Sequence, residues 1–232
     1  MVLQIILLFV LSVILHEAGH ALVAIAQGYK LKKFYIGIPV EFRMFGRNLS
    51  TIVFKKQMGS VEFGISALIL GGAVDFYDLD DAPFWHKFWI IIAGPLTNLM
   101  LGFLPLLFFY DLGTSLHITY VICSVVLSAL GSLFGGSIPL SQIAGPVGAM
   151  NSMVGFASGY SNGLLLLWVV LNLAFFVTNM LPIPAIDGGQ LLTSSVVAIL
   201  GKKWKKPMDT ITLVFFYILM IIMAIILTKD LW

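Results

Sequence analysis

The chain has 232 residues, of which 59% are hydrophobic and only 10% charged, with a formal net charge of +2 and a mean hydropathy of +1.02. These values exclude an ordinary soluble domain and point to a polytopic α-helical membrane protein. The single cysteine, Cys123, excludes an intramolecular disulfide, and there is no nucleic-acid signature. Residues 2–26 are an apolar run longer than the roughly 20 residues needed to span a bilayer. This run lacks a basic start and a small-residue cleavage site, so it is expected to stay in the mature chain. Residues 34–72 read as a β-region. Its stretches 49–54 and 60–65 are rich in β-branched and aromatic residues, and Gly46 and Gly59 punctuate them. Further spans are expected at 84–110, 164–181 and 209–228, and residues 118–134 form a fifth apolar stretch of about minimal length.

Within the first run lies His16-Glu17-Ala18-Gly19-His20, the only His, Asp, Glu, Lys or Arg among residues 1–29. Ionisable groups in hydrocarbon cost several kcal/mol, so such a cluster is a functional hypothesis by default. Residues i and i+4 share a helix face, and His16 and His20 can aim ring nitrogens at one metal ion. Glu17 sits on an adjacent face, where it can take a proton from the attacking water without being a ligand.

Charge placement gives a topology. Seven of the thirteen Lys and Arg residues fall in 30–56 and four more in 202–206, whereas 111–117 and 135–163 contain none. By the positive-inside rule the basic stretches are cytoplasmic and the uncharged ones external. His16 and His20 then lie roughly 21 to 27 Å into the first span, toward the cytoplasmic side. A third ligand must share that depth, which requires that 118–134 lie along or dip into the outer interface without crossing. Apart from Glu17, Asp187 is the only carboxylate in a strongly apolar setting. It follows Pro182 and Pro184, which break the preceding helix, and precedes Gly188 and Gly189, which permit close backbone approach. His16, His20 and Asp187 would complete a three-ligand catalytic zinc site with an open position.

HEAGH, Ile92-Ala93-Gly94-Pro95-Leu96-Thr97-Asn98, Gly145-Pro146-Val147-Gly148 and the 179–189 segment NMLPIPAIDGG together resemble the site-2 protease family of intramembrane zinc metalloproteases. The likeness is greatest to the bacterial branch that cleaves anti-sigma factors and remnant signal peptides. The resemblance implies one Zn2+ held by His16, His20 and Asp187, with Glu17 as general base. It also implies four core spans, with the site toward the cytoplasmic side of a bacterial cell membrane. Bacterial members of this branch usually carry a PDZ domain between the second and third core spans, where this chain has only residues 111–117.

The expected architecture is a single intramembrane domain over 1–232, with four core transmembrane helices, a membrane-associated β-region after the first, and an additional interfacial or partly embedded helix. The resemblance also implies that the β-region offers an edge to an unwound substrate, since a helical peptide bond is shielded by its own hydrogen bonds. Gly71 and Gly72 match the family's glycine pair at the end of that region. Asn98 and Asn179, polar groups within spans, are candidates to hold the substrate backbone, and interhelical hydrogen bonding is an equally good reason for either. The expected function is zinc-dependent cleavage of transmembrane segments of single-span proteins. The alternative is a membrane metal-binding or transport protein, or an inactive relative, which would have no use for a base beside its ligands.

Overall fold

A computed structural model describes residues 1–44, 47–69, 71–137 and 144–231; Gly46 lies outside them. Helix α1 spans Val2–Ala26. Its Leu, Ile, Val and Ala residues carry no proline, and the helix closes in a Schellman motif, with Gly28 N–H donating to Ile25 O and Tyr29 N–H to Ala24 O. Its buried positions, Ile5, Ser12, Val13, His16, Glu17, His20, Ala21 and Ala24, recur at helical spacing, while Leu3, Leu7, Leu11, Leu22 and Ile25 are exposed. All the polar side chains of HEAGH therefore lie on the protein-facing stripe.

Among the described residues six strands follow: β1 Leu31–Ile36, β2 Glu41–Met44, β3 Arg47–Ser50, β4 Ile52–Met58, β5 Val61–Ser66 and β6 Gly72–Phe76. Four of them make a sheet in the order β4-β5-β1-β6, in which β1 runs parallel to β5 and antiparallel to β6; β2 and β3 pair separately. The β-region is thus wider than 34–72, and the single strand expected at 49–54 is two. Thr51 divides it, because its N–H donates to Val40 O and its hydroxyl accepts from Val40 N–H, turning the chain from one ladder into the next. Tyr35 is buried against Gly64 and donates to Glu62 Oε1 at 2.6 Å. Burial and this bond push the Tyr35 phenol up to about 12, and the same bond holds Glu62 below the usual carboxylate range.

Helix α2 covers Phe84–Phe103 with Pro95 inside it, and a 3-10 turn at Leu104–Phe108 completes the expected 84–110 span. Helix α3 runs Leu112–Phe134, six residues longer at its start than the apolar stretch suggests. Asp111 explains the difference: its side chain caps the helix by accepting from Thr114 N–H and from the Thr114 hydroxyl, which holds the carboxyl below its ordinary range. Helix α4, Pro146–Ser158, was not anticipated; Gly145 at its N-cap and Pro146 in its first turn mark it in hindsight. Helices α5 Gly163–Met180, α6 Asp187–Leu200 and α7 Lys205–Leu231 complete the chain. Among the described residues five helices are long and apolar enough to cross a membrane, α3 among them, one more than the four expected core spans.

The chain divides into two compact units. The unit of residues 9–97 packs Ala21, Ala24, Phe76 and Ile90 together, joining α1, β6 and α2. In the unit of residues 1–8 and 98–232, Ile5 packs against Ala157, Leu167 and Leu171, and Leu106 against Val169 and Leu173. The opening turns of α1 and the 3-10 turn that follows α2 therefore both rest on α5. Trp168 Nε1 donates to Leu101 O at 2.9 Å, which fixes the α2–α5 contact further.

Candidate active site

Two turns of α1 supply the centre of the site. His16 and His20 are 8% and 6% exposed, and their Nε2 atoms lie 3.2 Å apart with the rings edge-on. His20 Nδ1 lies 2.7 Å from Ile90 O. A carbonyl only accepts, so Nδ1 carries the proton and Nε2 presents its lone pair toward His16. Gly94 keeps this space open: a Cβ there would come within 2.8 Å of His16 Nε2 and closer still to His20 Nε2. Two imidazole nitrogens converging on a volume that a side chain would fill, with a carboxylate on the neighbouring residue, fit a borderline cation such as zinc.

Glu17 is 7% exposed and lies against β6. A Cβ on Gly72 would approach its Cδ and Oε1 to 2.8 Å, so only glycine lets the first residue of this edge strand sit beside the carboxylate. Gly71, half-buried, accepts from Gly37 N–H at 2.9 Å, which ties the turn before β6 to the end of β1.

Asp187 is the first residue of α6 and is 8% exposed. After Pro182 and Pro184 the chain doubles back tightly. A Cβ on Gly188 would meet Met180 C at 2.8 Å, and one on Gly189 would meet Pro184 Cα at 2.7 Å. The two glycines thus seat the Asp187 turn on the end of α5. Asn179, on the last turn of α5, is half-buried. Asn98 is fully buried and its amide donates to Asn172 Oδ1 at 3.4 Å, the interhelical bond that was one of the two roles open to it from sequence.

Asn172 and Ser12 were not singled out from sequence, yet both are fully buried. Each had a signal: Asn172 is an amide inside an otherwise apolar span, and Ser12 stands one turn before His16 on the same stripe. His86 pairs with Tyr29 at 2.8 Å and His117 is exposed, so neither joins the HEAGH histidines.

A membrane protein with this donor set falls in the class of zinc-binding, HExxH-bearing proteins. The family model "Peptidase family M50" matches residues 4–223, and the chain belongs to that family, the site-2 proteases. Zinc metalloprotease Rip1 of Mycolicibacterium smegmatis is 32% identical over 111 residues, covering 41% of this chain and 26% of the relative. Zinc metalloprotease RasP of Geobacillus kaustophilus is 29% identical over 113 residues, covering 48% and 27%. A putative zinc metalloprotease of Fusobacterium nucleatum is 38% identical over 96 residues, covering 39% and 28%. The chain spans about a quarter of the length of these curated relatives. The expected family and the zinc cofactor are met, and the apolar helices with bacterial relatives mark a membrane protein of bacterial type.

Proposed function

We propose that the chain is a zinc-dependent intramembrane endopeptidase that cuts transmembrane segments of single-span proteins, such as pre-trimmed anti-sigma factors or remnant signal peptides. His16 and His20 hold the metal through Nε2, Asp187 is the third ligand, and Glu17 is the general base. Zinc, when bound, supplies Lewis acidity that polarises the scissile carbonyl and acidifies water. The His20 Nδ1–H bond to Ile90 O fixes the tautomer and ring plane, so the lone pair is aimed before the metal arrives. Glu17 accepts a proton from the attacking water and returns it to the leaving amine nitrogen. The observation that carries this reading is the seat of Glu17: a buried carboxylate one residue from converging imidazoles and directly against the start of an edge strand.

That edge gives the substrate its place. Among the described residues β6 is bonded to β1 on one side only, so an extended substrate can pair with its other side, with Gly71 and Gly72 bringing the new backbone alongside Glu17. Asn179 and Asn98 are assigned to hold or orient that backbone.

The topology read from the basic stretches requires Asp187 to share the depth of His16 and His20. Helices α3 and α4 then make an excursion between residues 111 and 163 without a net crossing, α3 being the interfacial or partly embedded helix. The site faces the cytoplasmic side, where the Lys-rich stretches lie.

Reconstitution of wild-type and Glu17→Gln protein in liposomes with a single-span substrate tests the reading. Zinc content should be equal in the two, and cleavage should fall by roughly 10² to 10⁴ in the variant. Unchanged cleavage would remove Glu17 as the base, and zinc retention with no cleavage by either protein would favour a metal-binding or inactive relative.

A further inference from the structure

Between α6 and α7 the chain turns a corner that the proteolytic reading leaves unused. Four lysines, Lys202, Lys203, Lys205 and Lys206, fall within five residues around Trp204, in the 3-10 turn Lys202–Trp204 and the first turn of α7. Between residues 188 and 229 the only carboxylate is Asp209, exposed one turn further on, so the corner carries three net positive charges. Lys203 and Lys206 are exposed. The neighbouring apolar residues are exposed too: Ile199 at 81%, Leu200 at 49% and Trp204 at 39%.

We infer that this corner is a binding surface for anionic phospholipid headgroups. The segment opens a helix long and apolar enough to span, which sets the lysines at the membrane–water boundary where phosphates lie. Exposed Ile199, Leu200 and Trp204 beside the lysines make the corner two-sided. The apolar side chains enter the acyl region, Trp204 rests at the headgroup level, and the ammonium groups meet phosphate. A purely topological lysine cluster needs charge alone. Three exposed apolar side chains in the adjoining turns add a means of insertion that charge does not require. An aqueous acidic partner would leave Ile199 and Leu200 in water, whereas a bilayer covers both halves of the surface. Engagement there fixes the depth of α7 and the far end of α6.

The test uses the full chain in an uncharged detergent, offered equal amounts of dioleoylphosphatidylglycerol and dioleoylphosphatidylcholine, with retained lipid read by native mass spectrometry. Wild-type protein should retain the anionic lipid in roughly tenfold excess, and Lys203→Gln/Lys206→Gln should lose most of that preference. The Lys203→Arg/Lys206→Arg protein should keep it, as should Lys55→Gln/Lys56→Gln on the exposed face of β4. A preference unaffected by the first pair, or lost equally in the β4 pair, overturns the assignment. Since both lysines are exposed, an unchanged melting temperature in the uncharged detergent verifies that the glutamine variant is folded.

Discussion

Helices α1 and α7 are both long apolar segments of 25 and 27 residues, yet 33% of the spanning window of α1 is buried in protein and none of that of α7. In α7 most side chains from Ile211 to Ile225 are exposed, with only Thr212, Phe216, Met220 and Met223 half-buried along one stripe, so most of its apolar surface is left to the lipid. In α1 the same overall polarity hides a stripe of Ser12, His16, Glu17 and His20, each at most 8% exposed, that a bilayer would not tolerate on the outside. Apolar character therefore gives the solvent of a helix, and the few exceptions along it give its task.

The sharpest way to break the contrast is to disturb α1 at the metal. A methyl group in Gly94→Ala would intrude on both imidazole nitrogens, and zinc affinity should fall by about a hundredfold, measured by competition with a chelating dye. Gly72→Ala acts next to Glu17 rather than at the histidines. Zinc should stay bound while kcat drops about tenfold, so a loss of zinc would show that β6 supports the ligands and not the base. A smaller effect is expected where α2 meets α5. Asn172→Leu removes the partner of buried Asn98 and should destabilise the fold by about 1 kcal/mol in denaturant titrations in micelles. On α7, Ile221→Ala, at a position 60% exposed, should change stability by less than about 0.5 kcal/mol.

The contrast also explains what could be read in advance. The spans and HEAGH were legible because hydrocarbon makes every charge conspicuous, and Asp187 stood out for the same reason beside two prolines and two glycines. Helix α4 and the first turn of α3 were not, because Gly145-Pro146 and Asp111-Leu112-Gly113-Thr114 are local capping signals in stretches of modest polarity, where hydropathy is silent. The division of the expected 49–54 strand at Thr51 depends on hydrogen bonds to Val40, eleven residues away, which no local propensity encodes. Likewise the roles of Gly72 and Gly94 are written only in what lies across from them, namely Glu17 and the two histidines. The Asn98–Asn172 bond is a pairing between spans 74 residues apart, and sequence could offer the interhelical role without naming the partner.

The central claim is that one zinc ion is held by His16, His20 and Asp187, and metal analysis of the purified full chain tests it most directly. Wild-type protein should carry one zinc per chain, and Asp187→Ala should lose most of it under dialysis while Glu17→Gln keeps it. Full zinc occupancy in Asp187→Ala, or loss in Glu17→Gln, would contradict the ligand set.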